Sequence, residues 1–367
     1  MLYTSHGNQT WLVSFNQGQF TMHISFSDMY DGRVTFTGVI YKKTIGNYTV
    51  HNNGEVVVCE LSNRIRKQLI YPTADPASLP HRVQKVIELE HMDPLAVGDE
   101  VRYIQAEDGK GLIIELLPRH NKLTRRSAVP KPIHHGAHPF EQIIVTNVNQ
   151  VVMVMSAAQP DPKWNLLDRY LASAEASGVQ SLICITKMDL LKGREKELLE
   201  ALDEYGEIGY PYMLTSTVTG EGIEDLHALL QRRVSAMIGK SGVGKTALLN
   251  MLQPGLGLRV REVSRVTGKG RHTTTNLEMF ELDGGGAIID TPGTREFGLW
   301  EYDDDLALLF PEMEPLVGTC KFGVGCHHDE EPGCSIRKAV MAGDIKPRRY
   351  QSYLQLTKEW ADVSRNL

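Results

Sequence analysis

Gly239-Lys240-Ser241-Gly242-Val243-Gly244-Lys245-Thr246 fits the pattern G-x-x-x-x-G-K-[ST], the phosphate-binding loop. The apolar run Val234-Ser235-Ala236-Met237-Ile238 before it predicts a buried strand, and Ala247–Leu252 after it predicts the first turns of a helix. The motif needs that context, because loop N–H groups and a helix N-terminus must converge on phosphate oxygens. In such a loop Lys245 reaches the β- and γ-phosphates and Thr246 puts its hydroxyl on Mg²⁺.

Upstream, from Glu141, apolar β-branched runs alternate with helical patterns. Ile143–Val148, Val151–Met155 and Gln180–Ile185 read as strands, and Leu166–Ala176 and Gly193–Tyr205 read as helices. This alternation predicts a parallel sheet covered on both faces. The strand from Gln180 runs into Thr186-Lys187-Met188-Asp189, which resembles the guanine-reading N/T-K-x-D motif. An aspartate carboxylate accepts two hydrogen bonds from guanine N1–H and N2–H₂, an arrangement adenine lacks. The Lys187 stem would lie over the base. The next strand, Tyr212–Leu214, leads into Thr215-Ser216-Thr217 and then Gly220-Glu221-Gly222, which resembles the second guanine motif, S-A-x-x-x-x-G; Ser216 and Thr217 would brace the base. After the P-loop come Gly270-Arg271-His272-Thr273-Thr274-Thr275 and the D-x-x-G segment Asp290-Thr291-Pro292-Gly293. The guanine motifs thus precede the P-loop, a circularly permuted order.

The region before this domain reads as all-β. Val34–Tyr41, Asn47–His51, Glu55–Leu61, Asp99–Gln105 and Leu112–Leu117 are five short candidate strands separated by turn signals, which points to a small barrel of the OB type. Such a barrel either binds RNA or is purely structural. Trp11–Phe15 and Phe20–Phe26 alternate like a hairpin, with no function assigned. The run Arg119–Arg126, continuing to Pro130-Lys131-Pro132 and His134-His135, is the most basic stretch; it suits a linker touching phosphates or a solvated hinge.

The 367 residues carry a net charge of −6, so nucleic-acid binding would have to come from local basic patches. No apolar run is long enough to span a membrane, and no basic segment followed by an apolar core opens the sequence; a cytoplasmic protein is expected. Three of the five cysteines crowd together: Cys320, Cys326, His328 and Cys334 form C-x₅-C-x-H-x₅-C. Three thiolates and one imidazole make a closed tetrahedral shell, the mark of structural Zn²⁺. His327 is the adjacent alternative to His328. Helical patterns follow at Ser335–Ala342 and Arg348–Arg365, with Arg337, Lys338, Lys346, Arg348 and Arg349 read as an RNA-facing patch or as ordinary surface charge.

A permuted GTPase order, a preceding β-barrel and a following Cys/His cluster together resemble the ribosome small subunit-dependent GTPase family (RsgA, YjeQ, YloQ). The resemblance runs from about residue 34 onward and includes Leu167-Asp168-Arg169-Tyr170-Leu171 and the segment at 270–275. It implies an OB-fold barrel, an α/β circularly permuted P-loop GTPase domain and a helical zinc-binding domain. Expected boundaries are an N-terminal extension at 1–32, the barrel at 33–118, a basic linker at 119–140, the GTPase domain at 141–300 and the zinc domain at 301–367. It further implies GTP hydrolysis to GDP, stimulated by the 30S ribosomal subunit and its 16S rRNA during late maturation, by a monomer with no membrane partner. Carried over by position, Gly239 to Thr246 hold the phosphates, Thr186, Lys187, Asp189, Ser216 and Thr217 hold the base, and Thr246 and Asp290 serve Mg²⁺. One of Thr273, Thr274 and Thr275 completes the metal shell, and the Gly293 N–H touches the γ-phosphate. Thr294 stands where Ras-like enzymes place a water-orienting glutamine, and His272 is the family's candidate for that role, the alternatives being that it holds the switch or contacts RNA. Two rival readings are a metabolic or signalling NTPase whose barrel binds a protein, and an RNA-binding scaffold that uses GTP mainly as a conformational ligand.

Overall fold

The computed structural model describes residues 10–13, 22–25, 29–30, 32–44, 46–70, 94–126, 141–256, 277–291 and 302–364. The chain divides into two compact units, Met1–His120 and Asn121–Leu367.

In the first unit, Thr10–Val13 pairs antiparallel with Met22–Ser25, the hairpin its alternation predicts. The barrel is built from Arg33–Thr44, Asn47–Asn52, Glu55–Leu61, Glu100–Gln105 and Gly111–Leu116, close to the five predicted strands. The long first strand pairs with the second through its C-terminal half (Val39 opposite His51) and with the fourth through its N-terminal half (Phe36 opposite Tyr103). A parallel pair between the third and fifth strands, with Cys59 opposite Gly111, closes the circuit. This is the OB architecture. Alternation puts Val57, Cys59 and Leu61 inside and Val56, Val58 and Glu60 outside. The interior is filled by Ile40, Tyr48, Val50, Val101, Tyr103 and Ile113. A short helix, Asn63–Ile70, begins the segment that interrupts the strands. Arg119, read from sequence as a linker cation, instead forks onto the fully buried Asp99, with Nε to Oδ1 and Nη2 to Oδ2 both at 2.6 Å.

The second unit opens with an antiparallel pair, Lys122–Arg126 against Glu141–Thr146, so the first half of the basic run is a strand of this unit. Its main sheet has the spatial order Tyr212–Leu214, Gln180–Thr186, Gln150–Ser156, Val234–Ile238, Ala287–Asp290 and Glu278–Glu281. All neighbours are parallel except the last pair. Gln150–Ser156 is buried at every position, as a parallel strand covered on both faces must be. Helices Trp164–Ala176, Glu195–Ile208, Ile223–Leu230 and Lys245–Leu252 cover the sheet. Helices Ser335–Ala342 and Pro347–Ser364 follow the cysteine cluster, and a core including Phe310, Met313, Ile336 and Tyr353 packs onto Ala172 of the first covering helix. Among the described residues, no helix is long and apolar enough to cross a membrane.

Candidate functional site

The phosphate loop leaves the C-terminal end of the Val234–Ile238 strand and enters the Lys245–Leu252 helix. Two of its glycines are required by geometry. A Cβ at Gly239 would overlap the Val154 carbonyl of the neighbouring strand, and Gly244 caps the helix with a left-handed φ of 99°. Lys245 is buried and its ammonium donates to the Gly239 carbonyl oxygen. An ammonium has three N–H donors, so two remain for phosphate oxygens. Burial lowers the Lys245 pKa and nearby Asp290 raises it back. Around it, Ser241 is exposed, Lys240, Gly242 and Thr246 are half-buried, and Val243 is buried in the helix core.

The guanine-motif residues lie at the same end of the sheet, on the second strand along. Thr186 is buried, and its hydroxyl bonds the Met155 carbonyl at 3.1 Å and also the Val243 carbonyl within the phosphate loop. Lys187 adopts a left-handed φ of 60°, which turns the chain sharply at the strand end. Its ammonium donates to Gly242 O at 2.7 Å and to Gln159 O. Burial lowers its pKa, opposed by Asp189. The Thr-Lys pair therefore ties the Thr186–Asp189 turn to the phosphate loop. Asp189 follows in the short 3₁₀ turn Met188–Leu190, where its Oδ1 accepts the Ser216 hydroxyl at 2.6 Å. Ser216 is itself fixed by the backbone N–H groups of Val218 and Thr219, each 3.2 Å from its oxygen. Thr217 sits half-buried on the same turn. This turn depends on Gly222, where a Cβ would overlap the Leu214 carbonyl. The sequence assigned Ser216 to the base directly; the structure shows it holding the Asp189 carboxylate.

Asp290 ends the strand beside the phosphate loop. Its Oδ1 is buried with no hydrogen-bond partner among the described residues. Burial holds the carboxyl above its ordinary pKa, with Lys245 pulling it back. An orphaned buried carboxylate oxygen, whose charge is felt by Lys245 of the loop helix, is the donor chemistry that suits Mg²⁺, a hard cation taking oxygen ligands. His272, Thr273 to Thr275, Gly293 and Thr294 lie outside the described residues.

The cysteine cluster forms a second centre. One ligand atom from each of Cys320, Cys326, His328 and Cys334 lies within 4.8 Å of the others, and all four residues are buried. Cys320 Sγ and Cys334 Sγ stand 3.8 Å apart, matching the roughly 3.8 Å expected for two sulfurs on one tetrahedral Zn²⁺ at ~2.3 Å each. His328 Nδ1 faces these sulfurs at 3.4 and 3.5 Å, whereas His327 is exposed, so the geometry favours His328. Ser335 N–H donates to Cys320 Sγ at 3.2 Å and Arg337 N–H to Cys334 Sγ at 3.5 Å. Sequence reasoning missed Asp305, whose Oδ2 accepts from His328 Nε2 at 2.9 Å and sets the ring orientation. Nothing in its acidic run, Asp303-Asp304-Asp305, marks it out.

The reading of Arg348 and Arg349 as surface cations is overturned. Arg349 is 1% exposed, forks onto Glu312 at 2.6 and 3.0 Å and reaches the fully buried Asp168 at 2.7 Å. Tyr205 also donates to Asp168, at 2.6 Å. Arg348 donates to the Tyr205 hydroxyl at 2.6 Å and pairs with Glu204 at 2.8 Å. This network fastens the Pro347–Ser364 helix to the Trp164–Ala176 and Glu195–Ile208 helices.

Comparison with known proteins agrees with this arrangement. A family model described as RsgA GTPase matches residues 116–300. The chain is 44% identical over 270 residues to a small ribosomal subunit biogenesis GTPase RsgA of Gemmatimonas aurantiaca, covering 72% of this chain and 84% of that one. It is 36% identical over 325 residues to the protein of that name in Bacteroides fragilis, covering 88% and 96%. Among solved structures, YjeQ from Thermotoga maritima superposes with a TM-score of 0.65 at 29% identity, over 89% of this chain and 98% of that one. YloQ, a circularly permuted GTPase, superposes with a TM-score of 0.62 at 29% identity, over 89% and 96%.

Proposed function

The chain belongs to the RsgA GTPase family and is a GTPase, and from that premise we propose that it works on the small (30S) ribosomal subunit, hydrolysing GTP to GDP and phosphate as it assists late maturation. The observation that carries the site assignment is the pair of bonds from Thr186 and Lys187 to the Val243 and Gly242 carbonyls. Base recognition and phosphate recognition are thereby held in one rigid frame, although their order along the chain is reversed.

In this reading the loop N–H groups and Lys245 bind the β- and γ-phosphates. Asp189, aimed by Ser216, reads the guanine edge. Thr246, Asp290 and one of Thr273 to Thr275 would hold Mg²⁺, which neutralises charge on the phosphate oxygens when bound. Thr294 has no side-chain carboxamide with which to orient water, so intrinsic turnover should be slow; His272 is proposed to take that part, with the subunit supplying the ordered state. Cys320, Cys326, His328 and Cys334 would hold a structural Zn²⁺ that fixes the loops before the two C-terminal helices. 16S rRNA is the proposed contact within the subunit, and the protein is proposed to act as a cytoplasmic monomer. The test is GTP hydrolysis by the protein alone, with 30S and with 50S subunits. Strong stimulation by 30S only is expected. Slow turnover unchanged by either subunit would remove the ribosomal partner and favour a scaffold that uses GTP as a conformational ligand.

A further inference from the structure

The Gln150–Ser156 strand ends beside Gln180–Thr186, with Ser156 opposite Thr186. The buried Ser156 hydroxyl donates to the Pro160 carbonyl at 2.6 Å and closes the loop that leaves the strand. The Ala157 N–H donates to the Thr186 carbonyl at 2.8 Å, so the same loop is tied to the next strand. The loop then presents the Gln159 carbonyl to the Lys187 ammonium, which also donates to the Gly242 carbonyl at 2.7 Å. Both residues of the Gln159–Lys187 bond have left-handed backbone, with φ of 52° and 60°. Non-glycine residues keep that conformation only where their surroundings over-determine it, and such positions cluster at ligand sites. Neither Ser156 nor the loop after it belongs to the phosphate loop or to the guanine motifs.

We propose, resting on the reading that the Lys187 stem lies over the guanine base, that Ser156 is a positioning residue for guanine-nucleotide binding and acts on Lys187 through the Pro160 and Gln159 carbonyls. A lysine stem is flexible, and ordering a flexible side chain when a ligand arrives costs affinity. Two carbonyl acceptors order this one beforehand. Without the Ser156 hydroxyl, the Pro160 carbonyl loses its donor and the Gln159 carbonyl is no longer held at Lys187. The cost of ordering the stem then falls on the nucleotide, and one such side chain corresponds to about a three- to tenfold loss of affinity.

The test is the dissociation rate of radiolabelled GDP from the full chain with Mg²⁺, chased with unlabelled GDP. Ser156→Ala should speed release about three- to tenfold. Ser181→Ala is the control: Ser181 is buried on the neighbouring strand and its hydroxyl has no hydrogen-bond partner among the described residues, so release should match wild type. Lys187→Met drops both carbonyl bonds and should also speed release. In the double variant, Ser156→Ala should add little to Lys187→Met, because the group it positions is gone; a general loosening of the sheet end would add in full. A second readout needs no substitution. GDP should slow amide exchange at Ala158 and Gln159 in the unaltered chain about threefold more than saturating pyrophosphate, which lacks the base. Wild-type release in Lys187→Met counts against the base role of Lys187 itself. Faster release in Lys187→Met but not in Ser156→Ala, full additivity in the double variant, or equal protection by GDP and pyrophosphate overturns the role of Ser156.

Discussion

Arg349→Met tests whether the buried ion network fastens the C-terminal helix to the GTPase domain. Arg349 is 1% exposed, and its guanidinium satisfies both Glu312 and Asp168. Asp168 is fully buried and its Oδ2 already lacks a hydrogen-bond partner among the described residues. Methionine fills most of the stem's volume but leaves Asp168 with only Tyr205 and the more distant Arg348, at 3.9 Å, to offset its charge. Removing one member of a buried pair costs about 3–5 kcal/mol. The lost cation–π contact with Phe310, at 4.7 Å, adds to this. At ~4 kcal/mol, local opening becomes roughly a thousandfold more frequent. Hydrogen exchange of the Pro347–Ser364 amides reads that opening without assuming that the whole chain unfolds in one step. Lys196→Met is the control, because the Lys196–Glu200 pair is 90% and 67% exposed and exposed i,i+4 pairs contribute only about 0.3–0.5 kcal/mol. The double variant Asp168→Asn/Arg349→Met should exchange more slowly than Arg349→Met, since it no longer strands a charge. Exchange in Arg349→Met no faster than in the Lys196→Met control would falsify the argument.

Four further outcomes are expected. Lys245→Ala should lower subunit-stimulated GTP turnover by at least about a hundredfold, the scale of losing one preorganised electrostatic donor; steady-state phosphate release checks it, and retained turnover would count against the phosphate-loop assignment. Asp189→Asn should cut the preference for GTP over ATP by about a hundredfold, since it replaces a charged double acceptor; competition binding measures this, and an unchanged ratio would count against the base-reading role. With Zn²⁺ bound, none of the five cysteines should react quickly with a thiol reagent at pH 8, whereas chelation should expose Cys320, Cys326 and Cys334 only. Burial pushes the Cys59 and Cys184 thiols up to about 12, so they stay protonated until unfolding; metal analysis of Cys326→Ser should show the site empty, and full zinc occupancy there would refute the ligand set.

The phosphate loop, the guanine motifs and the cysteine cluster were legible because each is a short pattern whose chemistry demands particular side chains at particular spacing. The barrel strands were legible because one face is buried and alternation survives, as in Glu55–Leu61. Lys122–Arg126 was not, because only one apolar residue, Leu123, is fully buried in a run otherwise dominated by charge. Arg349 reads as a surface cation because its partner Asp168 lies 181 positions away, and no local pattern encodes so distant a pairing. Asp305 is hidden for a similar reason: one carboxylate among three neighbours is chosen by the position of the His328 ring. Side-chain orientation also separates His328 from His327, which spacing alone left open.

The permuted strand order has a consequence for the sequence of events during synthesis. Gln150–Ser156 lies between Gln180–Thr186 and Val234–Ile238. When the chain through Leu214 has left the ribosome, one edge of Gln150–Ser156 has its neighbour and the other has none. That open edge belongs to a strand buried at every position in the finished protein, which is the kind of surface that pairs wrongly with other chains. It is covered only when the strand leading into the phosphate loop is made. The piece of chain that leads into the phosphate loop is thus also the piece that closes the sheet, and a nascent chain stalled before residue 234 carries the Thr186–Asp189 turn on a half-built, adhesive scaffold.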